Sequence, residues 1–250
     1  IFEAAGNNVT SVNYSGDTGM HIATWMRGYN NVHKNEKLID DEAWIARIYV
    51  DAVKRLTNNK KGEKEVVIIN KQIEEKESKE INELWKKTRE LSIASWKKIY
   101  EELHTHFDKH YFESEFEDEG KRIAEELVKK NIAKVDEKAT IIDMKKDNLS
   151  VWVLLRSDKT VLYSAKDIAL ARKKAKDFPA DYYVVTVGDE QTLHFKQLQK
   201  ALHLMKEKIA NKYNFLPFGM VRFPQGKMSS RTGENILYST FIQEVKELAQ

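Results

Sequence analysis

The residues best suited to chemistry lie late in the chain, in the segment Pro224-Gln225-Gly226-Lys227-Met228-Ser229-Ser230-Arg231-Thr232-Gly233. Two cations, Lys227 and Arg231, and two serine hydroxyls, Ser229 and Ser230, stand between flanking glycines. Backbone N–H groups, hydroxyls and cations in one loop can wrap a polyphosphate and stabilise the charge that builds on a departing pyrophosphate. The loop is not a Walker motif, because methionine follows Lys227 and the glycine before Gly226 is as far back as Gly219. A second group is His104, His106 and His110 with Asp108 among them. On a helix, the i, i+4 pair His106 and His110 would share a face and could take zinc or nickel. No glutamate completes a His-Glu-x-x-His arrangement, so no metal is expected there.

These residues need elements to position them, and the glycines outline where those elements are. Gly6, Gly16, Gly19 and Gly28 crowd the start and Gly188, Gly219, Gly226 and Gly233 the end, with only Gly62 and Gly120 between; all three prolines are late. The distribution predicts a long helical middle between loop-rich flanks where backbone can approach a ligand. Residues 9–15 read as a strand, Gly16 to Gly19 as a turn, and a helix follows from Met20. Asp40, Asp41 and Glu42 open the next helix, with Ile45, Ile48, Ala52 and Leu56 at helical spacing; Asn58 to Gly62 ends it. Residues 73–107 read as one long helix and 119–131 as another, closed by Asn131.

The period then changes. Residues 140–144, 151–155 and 160–164 read as short strands, with Ser157-Asp158-Lys159 as a tight connection, and 167–176 as a helix. Residues 182–187 form an apolar run of the kind found in buried parallel strands. A helix through Leu193, Leu198, Ala201 and Met205, a strand at 218–223 and a helix at 239–249 complete the chain. This order predicts an α/β protein with a Rossmann-like, doubly wound parallel sheet, whose ligands bind at the carboxyl ends of its strands. The expected division is an N-terminal part of the nucleotide-binding domain at 1–35, a largely helical insertion at 36–135 and the C-terminal half at 136–250. Gly188 and the loop around Gly226 each follow a predicted strand, which puts them on one edge of the sheet.

Composition narrows the classes. With 250 residues and 41% hydrophobic content the chain can bury a sizeable core, which excludes a disordered tail or a disulfide-stapled mini-protein. A net charge of +3 with 32% charged residues leaves local patches, not overall charge, to select partners. The absence of cysteine removes thiolate metal sites and thiol nucleophiles. No apolar run reaches the roughly 18 residues of a membrane span.

Several segments, in order, resemble one family. Lys227-Met228-Ser229-Ser230-Arg231 is similar to the lysine-methionine-serine-lysine-serine signature of class I aminoacyl-tRNA synthetases. Asn13-Tyr14-Ser15-Gly16-Asp17-Thr18-Gly19, Phe107-Asp108 with Glu113-Ser114, Ser157 to Asp167, Gly188 to Phe195 and Phe218-Gly219-Met220-Val221 resemble segments of the arginyl-tRNA synthetases in particular. The resemblance implies that arginine is activated with ATP, accompanied by Mg2+, to arginyl-adenylate and passed to tRNA(Arg) by a cytoplasmic monomer. It assigns catalysis to Lys227, Ser229, Ser230 and Arg231. Tyr163, Asp167 and Gln191 would hold arginine; Tyr163 and Asp167 lie one helical turn apart, and a carboxylate is the natural planar partner of a guanidinium. His194, Gly219, Met220, Val221 and Lys227 would hold ATP.

The match has departures. Ser230 stands where the general signature has lysine, and Thr232 where many relatives are basic. No His-x-Gly-His precedes Asn13, and His21 lies on the wrong side of that segment to replace it. The chain therefore reads as a truncated catalytic domain, incomplete for catalysis by itself. A class I synthetase of another specificity would share the Lys227 loop without needing both Tyr163 and Asp167. A non-catalytic synthetase-like module built on the helical middle would bind neither ATP nor arginine.

Overall fold

A computed structural model describes residues 1–219 and 237–249. The chain forms two compact units, one of Ile1–Ser114 with the C-terminal helix, the other running from Glu115 to the end of the last strand.

The first unit begins with β1 (Val12–Ser15) and α1 (Met20–Gly28), which runs into a π-helical turn at Tyr29–His33. Gly19 precedes α1 with φ at 109°, a conformation that a side chain would strain. Then come α2 (Glu42–Leu56), α3 (Lys60–Glu74), α4 (Lys79–Glu102) and β2 (Lys109–Phe112); α8 (Tyr238–Leu248) closes the chain. Each of the three long helices starts at a side-chain cap. Asp41 accepts from the Trp44 N–H at 2.7 Å, Asn59 from Gly62 at 2.9 Å and Ser78 from Ile81 at 3.3 Å. Their inner faces meet α1 in a core of Trp25, Met26, Tyr29, Ile48, Ile73 and Trp85, where Trp25 and Tyr29 stack with centroids 5.4 Å apart. Gly28 lets α1 approach α2 closely, because a Cβ there would lie 2.5 Å from the Ala52 Cβ. β1 and β2 pair in parallel, from Val12 opposite Lys109 to Ser15 opposite Phe112.

Three expectations for this unit need correction. The helix expected over 73–107 is two helices, α3 and α4, parted near Glu75 to Ser78. The stretch Asn58 to Gly62, expected to be only a terminus, also starts α3, because Asn59 is an N-cap and Gly62 lies in the first turn. The helical i, i+4 premise for His106 and His110 fails as well. His110 is on β2, and the Asp108 carboxylate accepts the Ser11 backbone N–H at 2.7 Å.

The second unit contains α5 (Glu117–Lys129), β3 (Lys134–Asp136), β4 (Ala139–Asp143), β5 (Val151–Leu155), α6 (Tyr163–Asp177), β6 (Tyr183–Gly188), α7 (Thr192–Leu204) and β7 (Tyr213–Phe218). β3, β4 and β5 form an antiparallel sheet, whereas β6 and β7 pair in parallel from Tyr183–Tyr213 to Gly188–Phe218. α5 opens on Glu117, Asp118 and Glu119, the charge that a helix N-terminus favours, and buries Ile123, Ala124 and Leu127. α6 is buried without interruption from Ser164 to Ala171, including the ammonium of Lys166, which is tolerated because Glu117 pairs with it. Arg172, lower on α6, takes Glu126 of α5 with two nitrogens, at 3.0 and 3.2 Å, and Glu207 at 2.9 Å.

One strand expected here does not form. Residues 160–164 are not a strand: Val161 makes one isolated bridge to Leu155 and α6 begins at Tyr163. β7, Tyr213–Phe218, carries Pro217 within it, and the strand expected at 218–223 lies mostly outside the described residues. A parallel strand at 182–187, an α/β class with parallel strand pairs and a largely helical middle are all present.

Candidate active site

The second unit gathers three of the predicted residues at the head of α6. Tyr163 is the first residue of that helix and largely exposed; Asp167, one turn on, is nearly buried. From α7, the His194 Nε2 lies 2.6 Å from Asp167 Oδ2. The Tyr163 and His194 rings meet edge to face with centroids 4.7 Å apart. On the far side of the imidazole, Trp152 of β5 donates its Nε1–H to His194 Nδ1 at 3.2 Å. Among the described residues, His194 is the only side chain hydrogen-bonded to the Asp167 carboxylate.

The charge on Asp167 reaches further. Tyr213 of β7 is held in its neutral form, first by burial and then by Asp167. Burial of Lys174 favours its neutral form, and Asp167 opposes that effect.

Gln191 and Gly219 lie at the carboxyl edge of the parallel pair. Gly188 is in register with Phe218, so Gln191, in the turn after β6, and Gly219, just after β7, leave the same edge; both are exposed. Met220, Val221, Lys227, Ser229, Ser230 and Arg231 lie outside the described residues. Sequence reading missed Trp152, since a lone tryptophan on a short strand carries no signal beyond burial.

The first unit holds a polar cluster of its own. Asp17, nearly inaccessible, accepts from the Ser114 backbone N–H at 2.9 Å, the Ser114 hydroxyl at 2.7 Å and Arg89 Nη1 at 2.9 Å. Trp85 Nε1–H donates to the Asp17 carbonyl at 2.7 Å, and the Arg89 guanidinium lies over the Trp85 ring at 4.7 Å. Near it is a cavity of about 450 Å³ lined by Trp25, Trp44, Trp85, Trp96, Tyr49 and Arg89 among others. None of the residues expected to hold arginine or ATP lines it. Its His21 is biased toward the neutral form by burial.

The whole chain, residues 1–250, matches the family model described as tRNA synthetases class I (R), catalytic domain. The chain belongs to that family. Arginine–tRNA ligase of Clostridium kluyveri is 32% identical over 245 residues, which cover 97% of this chain and 43% of that protein. Arginine–tRNA ligase of Treponema denticola is 32% identical over 255 residues, covering 100% and 43%. The chain thus spans under half the length of the curated relatives it matches. Arginyl-tRNA synthetase from Plasmodium falciparum has the same fold, with a TM-score of 0.71 at 16% identity over 99% of this chain and 40% of that one. The Thermus thermophilus arginyl-tRNA synthetase also gives a TM-score of 0.71, at 19% identity over 99% and 47%. Membership in the class I (R) family gives the Asp17 cluster a second meaning. Two segments of the arginyl-type resemblance, one containing Gly16-Asp17 and the other ending in Glu113-Ser114, are bonded to each other through it.

Proposed function

We propose that this chain is part of the catalytic domain of an arginine–tRNA ligase that acts on L-arginine, ATP and tRNA(Arg). The observation that carries the reading is the Asp167 carboxylate at the head of α6, enclosed, bonded by His194 and bordered by Tyr163. A carboxylate so placed suits a planar cation, because two parallel N–H···O bonds add direction to charge. Family membership and the names of the relatives support the same substrate.

In this reading Tyr163, Asp167 and Gln191 hold arginine. His194, Gly219, Met220, Val221 and Lys227 hold the nucleotide, and Lys227 with Ser229, Ser230 and Arg231 stabilises its phosphates. The arginine carboxylate attacks the α-phosphorus, the bond to the β-phosphate oxygen breaks, and pyrophosphate departs. A terminal ribose hydroxyl of tRNA then attacks the arginyl carbonyl and releases AMP. No covalent bond to the protein forms; positioning and charge stabilisation supply the catalysis. Mg2+ enters as the companion of ATP. The helical stretch at 36–135 is the insertion between the two parts of the nucleotide fold, and the protein works as a cytoplasmic monomer.

Calorimetric titration with L-arginine, L-lysine and L-citrulline tests the reading. Arginine should bind and citrulline, its neutral near-isostere, should bind at least about tenfold more weakly, as expected when a charge-assisted pair is lost. Equal binding of the two, or no response to arginine and ATP, would remove this function.

A further inference from the structure

The contacts of His194 define its protonation state. An indole Nε1–H can only donate, so His194 Nδ1, 3.2 Å from Trp152 Nε1, must be the lone-pair acceptor. The ring proton is then on Nε2, where it is given to Asp167 Oδ2 at 2.6 Å. A second proton would have to enter at Nδ1 and point at the indole N–H, putting donor against donor in a nearly buried site.

The neutral ring matters for Asp167. A neutral imidazole bonds one lone pair of the carboxylate and leaves its negative charge uncancelled. An imidazolium would form an ion pair with it and compete with any arriving cation. We propose that Trp152 is a positioning residue for substrate recognition: acting through His194, it keeps Asp167 an anion that the ring does not neutralise and that can take the guanidinium of arginine. The proposal rests on the arginine reading above and adds to it a residue that does not touch the substrate.

The groups around the ring fit this role. α6 presents Asp167 and the Tyr163 ring, and β5 presents Trp152. Beyond the carboxylate, α6 also carries Lys174 and β7 carries Tyr213; burial favours the neutral form of each. Among the described residues, Lys174 acts on Asp167 only through space, with no hydrogen bond or ion pair between them.

The test uses the 15N-labelled chain, with long-range 1H–15N correlation of its imidazoles between pH 5.5 and 8; the His194 signals are those lost in His194→Gln. The parent should show the neutral Nε2–H pattern throughout. Trp152→Phe keeps most of the ring packing and removes the donor. Its His194 should gain a second proton within that range of pH, where the parent does not. In that variant, L-arginine affinity by calorimetry should fall about tenfold from pH 8 to pH 5.5, with ATP binding changing no more than in the parent. Trp152→Phe with His194→Gln keeps an N–H donor toward Asp167 that cannot be protonated, and should lose the pH dependence. A parent His194 that gains its second proton within that range overturns the proposal, as does Trp152→Phe protonation without loss of arginine. If Trp152→Phe fails to fold, the nitrogen pattern of the parent decides alone. Failure of the parent to bind arginine at any pH would overturn the functional reading, while the nitrogen shifts would still decide whether Trp152 locks the tautomer.

Discussion

Ser114 donates both its backbone N–H and its hydroxyl to the carboxylate of Asp17, at 2.9 and 2.7 Å. Asp17 follows β1 and Ser114 follows β2, so this pair joins the ends of two parallel strands that are remote in sequence. Arg89 of α4 supplies the opposite charge at 2.9 Å. The helical layer is thereby fixed to the strand pair through one buried anion.

Removing that anion should be costly. Asp17→Ala leaves a partly buried guanidinium without its partner, a loss of about 3–5 kcal/mol. Ser114→Ala keeps the backbone bond and should lose about 1–2 kcal/mol. Urea unfolding compares the two, and equal effects below about 1 kcal/mol would show that the cluster does not hold the unit together.

Gly28→Ala sets two terms against each other. Alanine is favoured over glycine in a helix by about 1 kcal/mol, but the new methyl would lie 2.5 Å from Ala52 Cβ. Overpacking of about 1–3 kcal/mol should win, giving a net loss of up to about 2 kcal/mol. Gly28→Ala with Ala52→Gly should recover much of it. A more stable single variant would mean that α1 and α2 separate readily.

The Arg172 guanidinium, with help from Lys130, holds the Glu126 carboxyl at about 2. A carboxyl depressed in the folded state contributes stability above its unfolded value, about 4.5, and the contribution is lost as pH falls from there toward about 2. Glu126→Gln should therefore flatten the acid limb of stability between these values with little further pH effect above about 5. Unfolding midpoints from pH 2 to 7 give the comparison, and an unchanged acid limb would dismiss Glu126 as its source.

Asp167→Asn keeps a carbonyl oxygen to accept from His194 while removing the charge. L-arginine should bind at least about tenfold more weakly and ATP about as before. A parallel loss of both ligands would indicate a collapsed site instead.

Much of the site was legible because its residues are local in sequence. Tyr163 and Asp167 lie one turn apart on α6, and Gln191 and His194 follow a strand whose apolar run is unmistakable. The partnership of Asp167 with His194 was not legible, because it joins α6 to α7, and Trp152 had no motif to mark it. Glycine misled most. Gly28 and Gly62 suggested flexible or terminal backbone, yet they sit in helices; Gly62 lies close to Leu56 and Arg27, and Gly28 against Ala52. Pro217 hid the strand that contains it, because β7 pairs on one side only among the described residues and so tolerates the missing N–H. Thr160 and Val161 had strand-like composition, but the helix claimed the next residues once Leu162 turned the chain.

The parallel ladder of β1 and β2 has a consequence for the order of events in time. Its strands are separated by about ninety residues that carry α1 to α4, whereas β6 and β7 are separated by little more than α7. Closing the longer loop costs about 1 kcal/mol more in chain entropy, and the cost falls mainly on contacts made before the intervening helices have packed. The β1–β2 pairing should therefore be among the last contacts made during refolding, after α1 to α4 have brought its ends together. Of the two parallel ladders among the described residues, it is the one whose amides should exchange first with deuterated solvent.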